Sequence, residues 1–271
     1  MFAYQQTQLG QQTDYSSQYN PKLLCPLPRL QGREDLGIDS LPFDGVDIWH
    51  NYEASWLNAK GKPQVAIVQL IIPCSSPYLI ESKSLKLYFN ALNFAKFDSP
   101  DDYIKLLRQD LSAAAGAPIE VVLLPVERAY QSNILFGLCL DEIDIDCQDY
   151  DINPQLLHCA NPPQTVTQSV YSHLLRSNCP VTNQPDWGSV KITYTGAAIT
   201  HESLLRYLIS FRQHNDFHEQ CVERIFSDIM RVCQPQKLTV QAFYTRRGGL
   251  DINPYRSNFE VFSSFGRLAR Q

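Results

Sequence analysis

Strand-like and helix-like periodicities follow one another along this 271-residue chain in an order that occurs twice. That repetition limits the fold more than any composition does. Residues 47–58 place Ile48, His50, Tyr52, Ala54 and Trp56 at every second position, the spacing of one strand face. Lys60, Gly61 and Pro63 then signal a turn, and the apolar run 64–72 returns as the second arm of a hairpin. Helices are expected over 84–93 and 101–115. The second has Ser99 as cap, Pro100 in the first position and Asp101 and Asp102 at its positive end. Residues 119–124 and 134–140 complete the set as strands.

The later half repeats the order, with strands over 167–174 and 190–195, helices over 202–213 and 216–233, and strands over 238–244 and 258–262. Thr200 is expected to cap the first of these helices. Phe217, Cys221, Ile225 and Ile229 line one face of the second, which Pro235 stops. The implied class is α+β: two tandem β-β-α-α-β-β units, each an antiparallel sheet with two helices on one face. Glu81-Ser82 and Glu202-Ser203 open corresponding helix pairs. Four segments follow: a polar extension 1–40, a first unit 41–140, an acidic and then Pro-rich connector 141–164, and a second unit 165–271.

No apolar run approaches the ~18–20 residues a membrane-spanning helix needs. Residues 1–20 lack the basic start and apolar centre of a secretory signal, so a cytoplasmic, membrane-free location is expected. The net charge of −5, from 23 basic and 28 acidic residues, is not that of a chain gripping many phosphates. Direct nucleic-acid binding is therefore not expected, while a basic cluster for one phosphorylated ligand is compatible with it. None of the eight cysteines has CxxC spacing, which favours free thiols over a zinc ribbon.

Four stretches carry groups that do chemistry. Cys179 stands between Asn178 and Pro180, in a loop between strands, where a thiol serves either as a nucleophile or as an incidental loop residue. Asp186, seven positions on, is placed to move a proton. His218-Glu219 opens a helix. With Asp216 as N-cap, Glu219 would complete a capping box; alternatively its carboxylate would take two N–H donors from the edge of a guanine-like base. Residues 81–86, Glu-Ser-Lys-Ser-Leu-Lys, put a carboxylate, hydroxyls and two ammonium groups at another helix start. Residues 244–249 end a strand with Arg246, Arg247, Gly248 and Gly249, a place for a phosphate or a plain solvated turn. Neither a Rossmann nor a P-loop glycine pattern is present.

Together these motifs resemble one family, the NADPH-dependent 7-cyano-7-deazaguanine reductases, the nitrile reductases of queuosine biosynthesis. The likeness runs from about residue 41 to 271 and is to the longer subgroup, in which two tunnelling-fold units are fused. It implies Cys179 as the nucleophile that forms a thioimide and Asp186 as general acid. It implies Ile80, Glu81, Ser82, His218 and Glu219 as substrate-binding residues. Ser82, Lys83, Arg247 and Gly248 would bind NADPH, with Lys83 or Arg246 and Arg247 as cations for its 2′-phosphate. Two NADPH per turnover, no metal, a free base as substrate and a homodimer are also implied. Two rivals remain: a zinc-dependent cyclohydrolase of the same fold acting on GTP or a pterin, and a catalytically silent purine-binding module.

Overall fold

The computed structural model of the chain describes residues 18–127, 133–263 and 266–271. Residues 1–17 of the polar extension 1–40 therefore lie outside the described residues. The chain divides into two compact units, one drawn from Met1–Glu34, Val46–Tyr130 and Arg246–Ile252 and the other from Asp35–Gly45, Gln131–Thr245 and Asn253–Gln271. Both combine antiparallel strands with a helix pair, so the class is α+β.

The first unit contains β1 (Pro26–Pro28), α1 (Arg29–Glu34), β2 (Asp44–Asn58), β3 (Pro63–Pro73), β4 (Tyr78–Ile80), α2 (Ser82–Ala91), β5 (Lys96–Phe97), α3 (Pro100–Ala115) and β6 (Glu120–Leu124). β6, β3 and β2 pair antiparallel in that order, and β1 pairs with β4. Local chemistry sets α3 as expected. Ser99 and Asp102 close a reciprocal capping box, Pro100 stands at the first position, and Gly116 at φ +70 ends the helix.

One sequence-based expectation for β2 is corrected. Asn51 pairs with Val68 but Ala54 pairs with Ala66, so β2 carries one extra residue between them, a β-bulge. The side-chain alternation slips phase there. Trp49 joins Ala54 and Trp56 in the core under α2 and α3, where Trp56 stacks on Tyr103 at 4.5 Å. His50 and Tyr52 instead meet the buried carboxylate of Asp251, at 2.8 Å from His50 Nδ1 and 2.6 Å from the Tyr52 hydroxyl.

The second unit contains β7 (Leu138–Cys139), β8 (Thr165–Ser172), β9 (Arg176–Asn178), β10 (Pro185–Ala197), α4 (His201–Ile209), α5 (His218–Cys233), β11 (Lys237–Tyr244) and most of β12 (Leu250–Ser257). Its order is β12-β11-β10-β8-β7, with β9 on the leading end of β10. Three expectations change here. The strand expected over 134–140 shrinks to Leu138–Cys139, because Gly137 at φ +131 presses its backbone onto the Ser169 carbonyl and breaks the extension. The helix expected over 202–213 tightens into a 3₁₀ turn at Ser210–Gln213. The partner of β11 is β12, not 258–262. Polar residues hide β12 in the sequence, yet all eight of its positions are buried. Arg256, for example, donates from Nε and Nη2 to Glu223 Oε1 at 3.1 and 2.8 Å.

The two helix pairs share one frame, visible in matched bonds. Asn20 and Asn153 each open a short 3₁₀ turn with the pattern Asn-Pro-x-Leu-Leu, and each side chain accepts an amide two residues on. The residues that follow, Cys25 and His158, donate their amides to Ser84 Oγ at 3.0 Å and Ser203 Oγ at 3.3 Å. Their carbonyls accept from the helix caps, Glu81 at 3.0 Å and Thr200 at 3.1 Å. Each helix pair is then pinned by a buried tyrosine–aspartate bond, Tyr88 to Asp110 at 2.7 Å and Tyr207 to Asp228 at 2.8 Å. Glu81 thus corresponds to Thr200. The correspondence expected between Glu81-Ser82 and Glu202-Ser203 is two residues out of phase.

Candidate active site

In the second unit β9 and β10 are the arms of a hairpin, with Ser177 opposite Asp186. The Cys179 amide donates to the Gln184 carbonyl at 2.8 Å and the Asn183 amide to the Cys179 carbonyl at 3.0 Å, which closes a four-residue loop. Asn183 takes the left-handed conformation at φ +56, where asparagine is among the few tolerated residues. Cys179 lies one position beyond the end of β9, next along the hairpin from the Asn178–Pro185 pair. Cys179 and Asp186 are both buried, at 5% exposure each.

The loop is stitched to the segment leading into α5. Asn178 donates its amide to the His214 carbonyl at 2.7 Å, Asp216 donates its amide to the Asn178 carbonyl at 3.0 Å, and Asn215 Nδ2 reaches Asn183 Oδ1 at 2.9 Å. These bonds hold the start of α5 beside the hairpin. His218 Nε2 consequently lies 3.5 Å from Asp186 Oδ2, at ion-pair range when the imidazole is protonated, without forming a hydrogen bond. The His218 ring rests on that of Tyr244, 3.9 Å between centroids. Tyr244 was not singled out in the sequence; its place at the end of an alternating strand was the available signal.

Glu219 is 3% exposed and sits in the first turn of α5. The expected capping box does not use it. Phe217 is the N-cap, and its amide donates to Gln220 Oε1 at 3.3 Å and to Asp216 Oδ1 at 3.0 Å. The capping box formed is therefore that of Phe217 and Gln220 rather than the expected one of Asp216 and Glu219.

All eight cysteines are free thiols, four of them buried. Burial pushes the Cys221 thiol far up and the Cys233 thiol up to about 12, the latter also through its neighbour Cys159. Burial and then the nearby Glu81 carboxylate push Cys25 up. These three are therefore held protonated, the unreactive form.

The other expected residues gather in the first unit. Ile80 ends β4, and Glu81 caps α2 with both carboxylate oxygens, accepting the Lys83 amide at 2.6 Å and the Ser84 amide at 2.8 Å. Burial raises the Glu81 carboxyl, opposed by those two amides. Ser82 and Lys83 form the first turn of α2. Arg247 and Leu250 exchange backbone bonds at 2.9 and 3.1 Å around Gly248 and Gly249, both at positive φ, the geometry of a tight two-residue hairpin turn. Arg246 lies 4.3 Å above the Tyr52 ring. The cations around this turn suit a dinucleotide phosphate: Arg246 and Arg247 precede the glycines and Lys86 of α2 lies against Gly248, while the Glu53 side chain lies against Gly249. The structure thus brings Cys179, Asp186, His218 and Glu219 together in one unit, and Ile80–Lys83 with Arg247 and Gly248 in the other.

A family model described as "Nitrile reductase, 7-cyano-7-deazaguanine-reductase N-term" matches residues 15–123, and one described as "QueF-like protein" matches 185–261. The NADPH-dependent 7-cyano-7-deazaguanine reductase of Hydrogenovibrio crunogenus is 54% identical over 267 residues, covering 97% of this chain and 96% of that one. That of Ralstonia nicotianae is 53% identical over 258 residues, covering 93% of each.

The chain belongs to the 7-cyano-7-deazaguanine reductase family.

Within this reductase chain the two matched spans include every candidate site residue except Cys179, which falls between them. A crystal structure of an archaeosine synthase, QueF-Like, in its apo form aligns with 37% of this reductase and 98% of its own length, at 18% identity and a TM-score of 0.32.

Proposed function

We propose that this family member reduces the nitrile of 7-cyano-7-deazaguanine to the aminomethyl group at the expense of two NADPH and two protons, through a thioimide on Cys179. The observation that supports the reading is that one hairpin carries both Cys179 and Asp186, each buried, with His218 beside the carboxylate.

Sulfur adds to the nitrile carbon as Asp186 delivers a proton to the nitrile nitrogen and takes up the thiol proton in exchange, so the S–H bond and one C–N π bond are lost and one C–S and one N–H bond form. NADPH supplies hydride twice, first to the thioimide carbon and then to the imine left when the C–S bond breaks. His218, 3.5 Å from Asp186, is placed to relay the two protons that each cycle consumes. Glu219 takes the N1–H and exocyclic amine of the base, and Ile80, Glu81 and Ser82 complete its binding. Ser82, Lys83, Arg247 and Gly248 hold the cofactor.

The matched caps and Tyr–Asp bonds support tandem tunnelling-fold units in 41–140 and 165–271, each preceded by an Asn-Pro-x-Leu-Leu turn, at 20–24 in the extension and at 153–157 in the connector 141–164. A cytoplasmic homodimer acting on the free base, without direct nucleic-acid or membrane contact, accords with the net charge of −5. No helix among the described residues is long and apolar enough to cross a membrane.

The test is NADPH oxidation on addition of the nitrile, with product quantified alongside. Two NADPH consumed per aminomethyl product supports the reading. Binding of the base without oxidation overturns it in favour of a silent purine-binding module.

A further inference from the structure

Tyr244 is fully buried beside the Cys179 hairpin, and the proposed mechanism gives it no task. It ends β11 directly across from Gly188 of β10, two residues beyond Asp186. Side chains two apart on a strand share a face, so β10 sets the Asp186 carboxylate and the bare backbone of Gly188 side by side. The Tyr244 ring takes the room that the glycine leaves: a Cβ on Gly188 would stand 3.2 Å from its Cδ1 and 3.3 Å from its Cε1. Gly188 is not at positive φ, so close approach of the ring, not backbone conformation, is what asks for glycine there. On that ring rests the His218 imidazole, 3.9 Å between centroids, with its Nε2 3.5 Å from Asp186 Oδ2. All four residues belong to the second unit.

Tyr244 has two groups to contribute, a hydroxyl and a ring, and their surroundings separate them. Burial, and then the Cys221 thiol, push the hydroxyl well above the ordinary tyrosine range, so it keeps its proton and moves none near neutral pH. It lies beside Ser177 and Cys221 without hydrogen-bond geometry to either. The ring is placed differently. His218 Nε2 is also buried without a hydrogen-bond partner among the described residues, so no such bond at that nitrogen fixes the imidazole opposite Asp186. Packing has to hold it, and the Tyr244 face is the surface on which it rests. When the imidazole carries a proton for the relay, that same aromatic face meets a cation, which it attracts.

We propose that Tyr244 is a positioning residue for the proton relay: its ring, seated over Gly188, holds the His218 imidazole at the Asp186 carboxylate. The proposal rests on the nitrile-reductase reading and adds to it a residue that acts through His218.

The experiment measures kcat and KM for the nitrile in Tyr244→Phe, Tyr244→Leu, Gly188→Ala, His218→Ala and the His218→Ala/Tyr244→Leu double variant, with a melting curve for each. Tyr244→Phe keeps the ring and should retain most of kcat. Tyr244→Leu should lower kcat about tenfold with KM changed by less than about twofold, since proton transfer is misaligned while base binding is not. In the His218→Ala background the same change should alter kcat by less than about twofold. Full kcat in Tyr244→Leu, or a loss confined to KM, would overturn the proposal. So would Tyr244→Phe as slow as Tyr244→Leu, which assigns the role to the hydroxyl, or a Tyr244→Leu loss that persists without His218. Should Tyr244→Leu fail to fold, Gly188→Ala decides, because its methyl group crowds the ring. A several-fold lower kcat at unchanged KM then supports the proposal, and an unchanged kcat overturns it. Nitrile-dependent NADPH oxidation by the parent chain is run in parallel. Its absence strikes at the reductase reading itself, whereas its presence with Tyr244→Leu at the parent's rate strikes only at the role of Tyr244.

Discussion

At the start of α2, Glu81 spends both carboxylate oxygens on the Lys83 and Ser84 amides; at the same point in the second unit, Thr200 makes no capping bond and its Oγ1 is buried without a partner. The relation reverses one helix later. α3 begins with Ser99 and Asp102 in an exposed capping box of purely local use, whereas α5 begins with His218 beside Asp186 of the Cys179 hairpin and with a buried Glu219. The frame beneath is common to both: an Asn-Pro-x-Leu-Leu turn, a serine bridging turn to helix, and a buried Tyr–Asp bond. Repeated packing thus carries unrepeated chemistry.

The sharpest break between units is Cys179, which has no counterpart among the candidate residues of the first unit. Cys179→Ala should lower turnover by ~10³-fold or more while leaving the fold intact, since a covalent route is lost outright. Cys221→Ala, at a thiol held protonated inside α5, should keep turnover within a few-fold and lower the melting temperature instead. Steady-state rates with thermal melts separate the two.

A second contrast sets Glu219 against Asp101, its counterpart in the first turn of α3. Glu219→Ala should weaken base binding by ~2–4 kcal/mol, as charge-assisted bonds to two N–H donors are lost. Asp101→Ala should leave base affinity unchanged. Gln220→Ala, which removes the observed cap partner of Phe217, should lower stability by ~0.5–2 kcal/mol with affinity retained. Calorimetry with the base, beside melting curves, decides all three.

The Tyr–Asp pins differ in one partner. Asp110 accepts from Tyr19 as well as Tyr88, while the position matching Tyr19 in the other unit is Ile152, and Asp228 has Arg231 beside it. Burial, and then the bond to Asp110, push Tyr19 up to about 12. A raised folded value means the contribution is complete below pH ~10, where the unfolded tyrosine titrates, and is lost as pH rises through about 12. Tyr19→Phe should flatten that part of the alkaline stability loss, measured by denaturant melts across this window. Tyr207→Phe should leave it in place.

The smallest effect belongs to the caps. Glu81→Ala should cost ~0.5–2 kcal/mol of stability, the range for losing an N-cap. Thr200→Ala, removing a hydroxyl without a partner, should cost less than that or nothing. Equal losses would mean that the two helix starts are held alike.

These contrasts also explain what the sequence could disclose. Ser99, Pro100 and Gly116 act through neighbours a few residues away, so α3 was readable almost to the residue. The bulge in β2 was not, because a phase slip is defined by the partner strand. β12 was hidden because Asp251, Asn253 and Arg256 look solvated until their buried partners are known. The Asn-Pro-x-Leu-Leu repeat was printed in the chain, but 56 residues separate Cys25 from Glu81 and only 42 separate His158 from Thr200. A search at one fixed offset therefore misses the shared frame. Cys179, Asp186, His218 and Glu219 were legible as a set through the family resemblance. The stacking of Tyr244 on His218 required the fold.

The central claim is that the second unit performs covalent chemistry at Cys179, and intact-protein mass spectrometry after incubation with 7-cyano-7-deazaguanine, without NADPH, tests it most directly. The account predicts a mass gain equal to the whole nitrile, since the thiol adds without loss of any group, mapped to the peptide containing Cys179 and discharged when NADPH is supplied. A parent enzyme that turns over yet shows no adduct, or an adduct on any of the other seven cysteines, would contradict it.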